Sequence, residues 1–124
     1  MNKIIIFSNT NELVRVKPER LVYIESDGNY SNIVLHDKTT HTLVMNLAHC
    51  QQLIEDQLGK EAETFIRIGK QIIINKSYIY KINVNKQELI MSDMALNQAF
   101  TLSASKEALK QLKIYLESTI RKEK

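Results

Sequence analysis

Few residues in this chain have types and spacing suited to chemistry. His36, His41, His49 and Cys50 are its strong soft-metal ligands, but the sequence has neither C-x-x-C nor H-x-x-x-H, so no zinc pattern forms. No G-x-S-x-G places a serine on a nucleophile elbow, and the pairs Glu55-Asp56 and Glu61/Glu63 sit on or beside a helical pattern where solvation accounts for them. Cys50 lies among Leu47, Leu53 and Ile54, the setting of a small buried hydrophobe. The reading is therefore of a protein with no catalytic residues, no cofactor and no metal. What remains is the tripeptide Gly69-Lys70-Gln71, a polar break between the apolar runs Phe65-Ile66-Arg67-Ile68 and Ile72-Ile73-Ile74. Two strands flanking that break would hold a cation at a fixed place facing water or a partner, although an ordinary connection is polar for solvation reasons too. A second exposed polar feature is the strong turn signal Asp27-Gly28-Asn29.

Several function classes are excluded by composition. With 124 residues, 44% of them hydrophobic and 25% charged, the chain fits one globular domain, expected to span 1–124. No apolar run reaches the roughly 18 residues of a membrane span, and the N-terminal apolar run is too short for a signal peptide, so no membrane partner and a cytoplasmic location are expected. Residues 1–62 carry 6 basic and 8 acidic side chains, residues 63–124 carry 11 and 6. The basic half contains Lys70 and suits nucleic acid, an anionic surface or an acidic partner.

The elements that must position these residues are mostly strands. Residues 4–7 and 13–16 predict an opening hairpin, and residues 21–26, 30–36 and 40–45 a β-meander with turns at 27–29 and 37–38. Asn46 predicts the cap of a helix whose Leu47, Cys50, Ile54 and Leu58 share one face, ending at Gly59. A hairpin around Asn85-Lys86, a loose stretch over 92–97 and a strand over 99–102 follow. Ser103 or Ser105 then caps a last helix with Leu109, Leu112, Leu116 and Ile120 on one face, and residues 121–124 form a frayed tail. The fold class is mostly β: about ten short strands in small antiparallel sheets with two helices, incompatible with a doubly wound nucleotide fold.

Three stretches together resemble the LytTR family of DNA-binding domains: Tyr23-Ile24-Glu25-Ser26-Asp27-Gly28-Asn29-Tyr30, then Phe65 through Asn75, then Ser105-Lys106 opening a helix. The resemblance covers about residues 10–117. It implies a standalone bacterial domain, of the kind found as a response-regulator output domain in transcription regulation, that binds double-stranded DNA in the major groove through loops and strand ends. It further implies repeated sites and a homodimer on DNA. Carried onto this chain, its DNA-contacting positions are Asn29, Tyr30, Ser31 and Asn32, then Arg67, Gly69, Lys70 and Gln71, then Ser105 and Lys106, with Lys70 and Lys106 on one surface. Lys suits guanine O6 and N7, Asn and Gln suit an adenine edge, and a helix start suits phosphate. Arg67, set among apolar neighbours, is expected to lay its stem on apolar surface and pair with a carboxylate or phosphate. Two departures stand out. The family usually has His-Arg/Lys-Ser where this chain has Gly69-Lys70-Gln71, and Ser-Arg where it has Ser105-Lys106, so a bidentate guanidinium is replaced by a point charge. The competing class is a β-rich protein-interaction module whose strand edges recruit a partner and which does not bind DNA.

Overall fold

A computed structural model describes residues 3–93 and 99–122 of the chain. By its internal packing the chain divides between Ser77 and Tyr78 into two compact units.

The first unit begins with the expected hairpin, β1 (Ile5–Ser8) and β2 (Leu13–Val16), paired antiparallel with Ile5 opposite Val16. Its tip is closed by Asn9, whose Oδ1 accepts from the amides of Asn11 (3.0 Å) and Glu12 (2.8 Å). A turn of 3₁₀ helix with Pro18 at its start leads into β3 (Leu21–Ser26), β4 (Tyr30–Leu35) and β5 (Thr40–Val44), the meander read from the sequence. Helix α1 (Leu47–Leu58) follows, and Asn46 caps it by accepting from the His49 amide at 2.8 Å. A 3₁₀ stretch over Gly59–Thr64, not foreseen from the sequence, delivers the chain to β6 (Phe65–Ile68) and β7 (Ile72–Asn75).

Strand β7 does more than complete a hairpin with β6. It inserts beside β3, so the five strands are ordered β5-β4-β3-β7-β6, all antiparallel, with Ile24 opposite both Ile33 and Ile73. All four residues of β7 are buried, as expected of a continuous β-branched run. One face of this sheet carries Ile24, Ile33, Leu43 and Ile73, which pack in one core with Cys50, Ile54 and Leu58 of α1 and with Ile5 and Phe7 of β1. Apolar burial of such side chains contributes about 1.5–3 kcal/mol each. The first hairpin is tied to α1 through Gln57, whose Oε1 accepts from the Ile6 amide (2.7 Å) and whose Nε2 donates to the Ile6 carbonyl (2.8 Å). Cys50 is fully buried, and burial pushes its thiol up from the ordinary range.

The second unit is a three-stranded antiparallel sheet of β8 (Ile79–Asn83), β9 (Glu88–Ser92) and β10 (Ala99–Ser103), with α2 (Lys106–Lys122) against β8. Leu89, Met91, Phe100, Leu102, Leu109 and Leu112 are buried. The loose stretch expected over 92–97 is only partly tested: Ser92 ends β9, and residues 94–97 lie outside the described residues. The helix departs from expectation at its end. Ile120, on the face of Leu109 and Leu112, is 60% exposed, and of the expected tail Arg121 and Lys122 continue the helix while residues 123–124 lie outside the described residues. Ten strands in three antiparallel sheets and two helices among the described residues match the expected fold class.

Because Ile73 is central to the sheet and packs under α1, Ile73→Ala should destabilise the first unit by about 2–5 kcal/mol, read as a lowered urea midpoint. A change below about 0.5 kcal/mol would contradict this core, because surface substitutions produce changes of that size.

Candidate nucleic-acid interface

Two polar turns meet because β3 and β7 are neighbours. The chain leaves β3 at Ser26 and enters β7 at Ile72, and Glu25 pairs with Ile72 at the last rung of that ladder. One further bond, from the Ser26 amide to the Gln71 carbonyl at 2.8 Å, joins the two turns directly. The turn at 27–29 and the turn at 69–71 therefore lie side by side at one end of the sheet. The β4–β5 turn at 37–39 is at the other end, as antiparallel order requires.

Each turn has its own local cause. In the first, Asp27 Oδ1 accepts from the Tyr30 amide (3.1 Å), Ser26 Oγ accepts from the Gly28 amide (3.2 Å), and Gly28 takes φ +109°, where a side chain would be strained. In the second, Gly69 adopts φ +61°, which lets the hairpin reverse and leaves Gly69, Lys70 and Gln71 all exposed. The start of α1 lies at the same end. Residues 46–48, Ser26 and Gly28, and Arg67, Lys70 and Gln71 line one open depression of about 390 Å³. Its lining carries two cations and no carboxylate, and the first turn of α1 contains no acidic residue. Electrostatically it is a place for anionic groups.

The sequence-derived site residues are placed as follows. Asn29 and Tyr30 are exposed beside the first turn, Tyr30 by 49%. Asn32 is half-buried, and its Oδ1 accepts from the Thr42 hydroxyl at 2.6 Å. Ser31 is a correction. It is fully buried and its hydroxyl donates to the Met45 carbonyl at 2.6 Å, so it faces the core and not a groove. The reason is the period of two: residues 30–35 are strand, and Ser31 shares the inward face with Ile33. Arg67 is exposed, and its Nη2 donates to the Lys70 carbonyl (3.1 Å) and its Nη1 to Gln51 Oε1 (3.4 Å); of the carboxylate or phosphate expected as its partner, no carboxylate is among these acceptors. In the second unit, Ser105 caps α2 by accepting from the Ala108 amide at 3.1 Å, and Lys106 is the exposed first residue of that helix. Gln51, not singled out from the sequence, is brought to this end by α1. Its signal was weak, since a half-buried Gln on a helix has no motif.

Among the described residues, no group of three or more His, Cys, Asp or Glu side chains lies close enough to share a metal ion. No described helix is long and apolar enough to cross a membrane.

The family model of the LytTr DNA-binding domain matches residues 11–117. The chain belongs to the LytTR family. That family is one of DNA-binding domains and not of enzymes, so DNA is the partner and transcription regulation the setting. A solved structure with the same fold is a LytTr DNA-binding domain from a Bacillus cereus protein described as a methyl-accepting/DNA response regulator. It aligns with a TM-score of 0.61 at 17% identity over 92% of this chain and 96% of that one. No curated protein sequence matches the chain.

The contrast between neighbouring residues is testable. Ser31→Ala should lower stability by about 1–3 kcal/mol by leaving the buried Met45 carbonyl without its donor, whereas Asn29→Ala should leave the melting temperature unchanged and weaken DNA binding. A Ser31→Ala protein with parental stability and reduced DNA affinity would reverse this assignment.

Proposed function

We propose that this LytTR chain recognises double-stranded DNA sequence-specifically, reading the major groove through turns and strand ends. The observation that carries the reading is the junction of the turns at 27–29 and 69–71 around a carboxylate-free depression, with Lys70 exposed on a backbone that the sheet holds still. A side chain mounted on rigid strand ends reaches a base edge at little entropic cost, and Lys suits guanine O6 and N7. Asn29 and Gln71 supply amide groups suited to adenine, and Tyr30 flanks them. In the second unit, Ser105 and Lys106 open α2, where the helix start and the Lys106 cation suit phosphate, with Glu107 in the same turn limiting the attraction.

Residues 1–124 act as one functional domain, to which the second unit contributes Lys106 as a further DNA contact. Two copies occupy repeated sites and form a homodimer on the duplex. The response-regulator description of the Bacillus cereus protein supports an output role of the same kind here.

With a site obtained by in vitro selection, Lys70→Ala should cost about 1–3 kcal/mol on the preferred duplex and relax preference at one base position. Lys106→Ala should weaken all sequences alike and reduce the salt slope by about one. Competition between selected and scrambled duplex at two salt concentrations measures both. Parental affinity and preference in both variants would overturn the DNA-facing role of these residues.

A further inference from the structure

We propose that Gln51, acting through Arg67, is a positioning residue that sets the base preference of the 69–71 turn. The inference rests on the DNA-reading function proposed above.

The turn that carries Lys70 is held at two successive carbonyls. The Gln71 carbonyl accepts from the Ser26 amide at 2.8 Å, a bond within the sheet. The Lys70 carbonyl accepts from Arg67 Nη2 at 3.1 Å, a bond made by a side chain. An exposed Arg side chain has many rotamers, and fixing it needs a second acceptor. Gln51 supplies it at 3.4 Å from Nη1, from the face of the sheet that α1 covers. Alternation places Arg67 on that face, because it pairs with Ile73, a member of the core under α1. The amide of Gln51 is itself oriented. Its Nε2 donates to Glu55 Oε2 at 3.3 Å, one helical turn on, which leaves Oε1 for the guanidinium.

The chain of contacts therefore runs Glu55, Gln51, Arg67, Lys70 carbonyl, and ends on the backbone of the residue proposed to read a base. The planar guanidinium spans two acceptors on two elements, a geometry that an ammonium cannot reproduce. With either acceptor removed, Arg67 loses its fixed plane, the Lys70 carbonyl loses its donor for part of the time, and the Lys70 side chain starts from a wider set of positions. Affinity for any anionic duplex is kept, while discrimination between sequences falls.

The test uses the full chain with Gln51→Ala, Arg67→Ala, the charge-conserving Arg67→Lys, and Gln51→Ala/Arg67→Ala. Each is titrated with selected and scrambled duplex, and amide hydrogen exchange over 69–71 is followed without DNA. Gln51→Ala should lower the selected-to-scrambled affinity ratio by about three- to tenfold, the effect of one hydrogen bond, with scrambled binding and salt slope unchanged. The same loss should appear in Arg67→Lys although the charge is retained, and the double variant should be no worse than Arg67→Ala. Exchange over 69–71 should speed up in every variant, while melting temperatures stay near the parent's. The proposal is overturned by full rescue in Arg67→Lys, by additive losses in the double variant, or, in Gln51→Ala, by an equal loss on scrambled duplex or by unchanged exchange. If the parent binds no duplex, the DNA reading itself fails, and exchange still decides whether Gln51 and Arg67 hold the turn.

Discussion

The structure of the first unit depends on the antiparallel pairing of β7 with β3. That pairing is non-local: it joins Ile73 to Ile24, separated by most of the meander and the whole of α1. Once it forms, three consequences follow from geometry alone. The β-branched run of β7 is buried in the interior of a five-stranded sheet. The β6–β7 turn is carried to the β3–β4 turn and bonded to it through Ser26 and Gln71. Arg67 comes beside α1, where Gln51 meets it. Two segments far apart in sequence thus become one end of a sheet, and their two polar turns become one continuous polar surface.

Rigidity and exposure are divided between residues. The backbone at 69–71 is fixed by bonds from Ser26 and Arg67, while Lys70 itself stays in solvent. Such an arrangement suits recognition, since the cost of ordering the backbone is met in folding and only the side chain remains to be ordered on binding. The same logic explains Gly69. Its φ of +61° allows a tight reversal that a side chain would strain. Lys70 and Gln71 are the side chains that this turn leaves in solvent.

Much of this was legible in the sequence, and the parts that were not share a cause. Period-two alternation marked the meander, helical spacing the two helices, and Asn46 and the pair Ser103 or Ser105, of which Ser105 is the cap, their starts, because these are local signals. The resemblance to the LytTR family rested on motifs whose order and spacing could be read directly, and the family match bears it out. Ser31 was misplaced because a polar residue after a turn was read as turn, although its parity with Ile33 pointed inward. The partners of Arg67 and the entry of Gln51 could not be read, since both depend on where α1 crosses the sheet, and no local pattern encodes that crossing. The outward position of Ile120 has a similar origin: helical periodicity assigns a face but does not say where the covering surface ends.

We propose that the turns at 27–29 and 69–71, bonded through Ser26 and Gln71, form one DNA-facing surface. Amide chemical-shift mapping of the full chain, titrated with a selected duplex, tests it most directly. Gly28, Asn29, Lys70 and Gln71 should shift together along one binding isotherm, while Asp37, Lys38 and Thr39, at the opposite end of the sheet, stay unchanged. Shifts centred on 37–39, or a response at one of the two turns without the other, would contradict it.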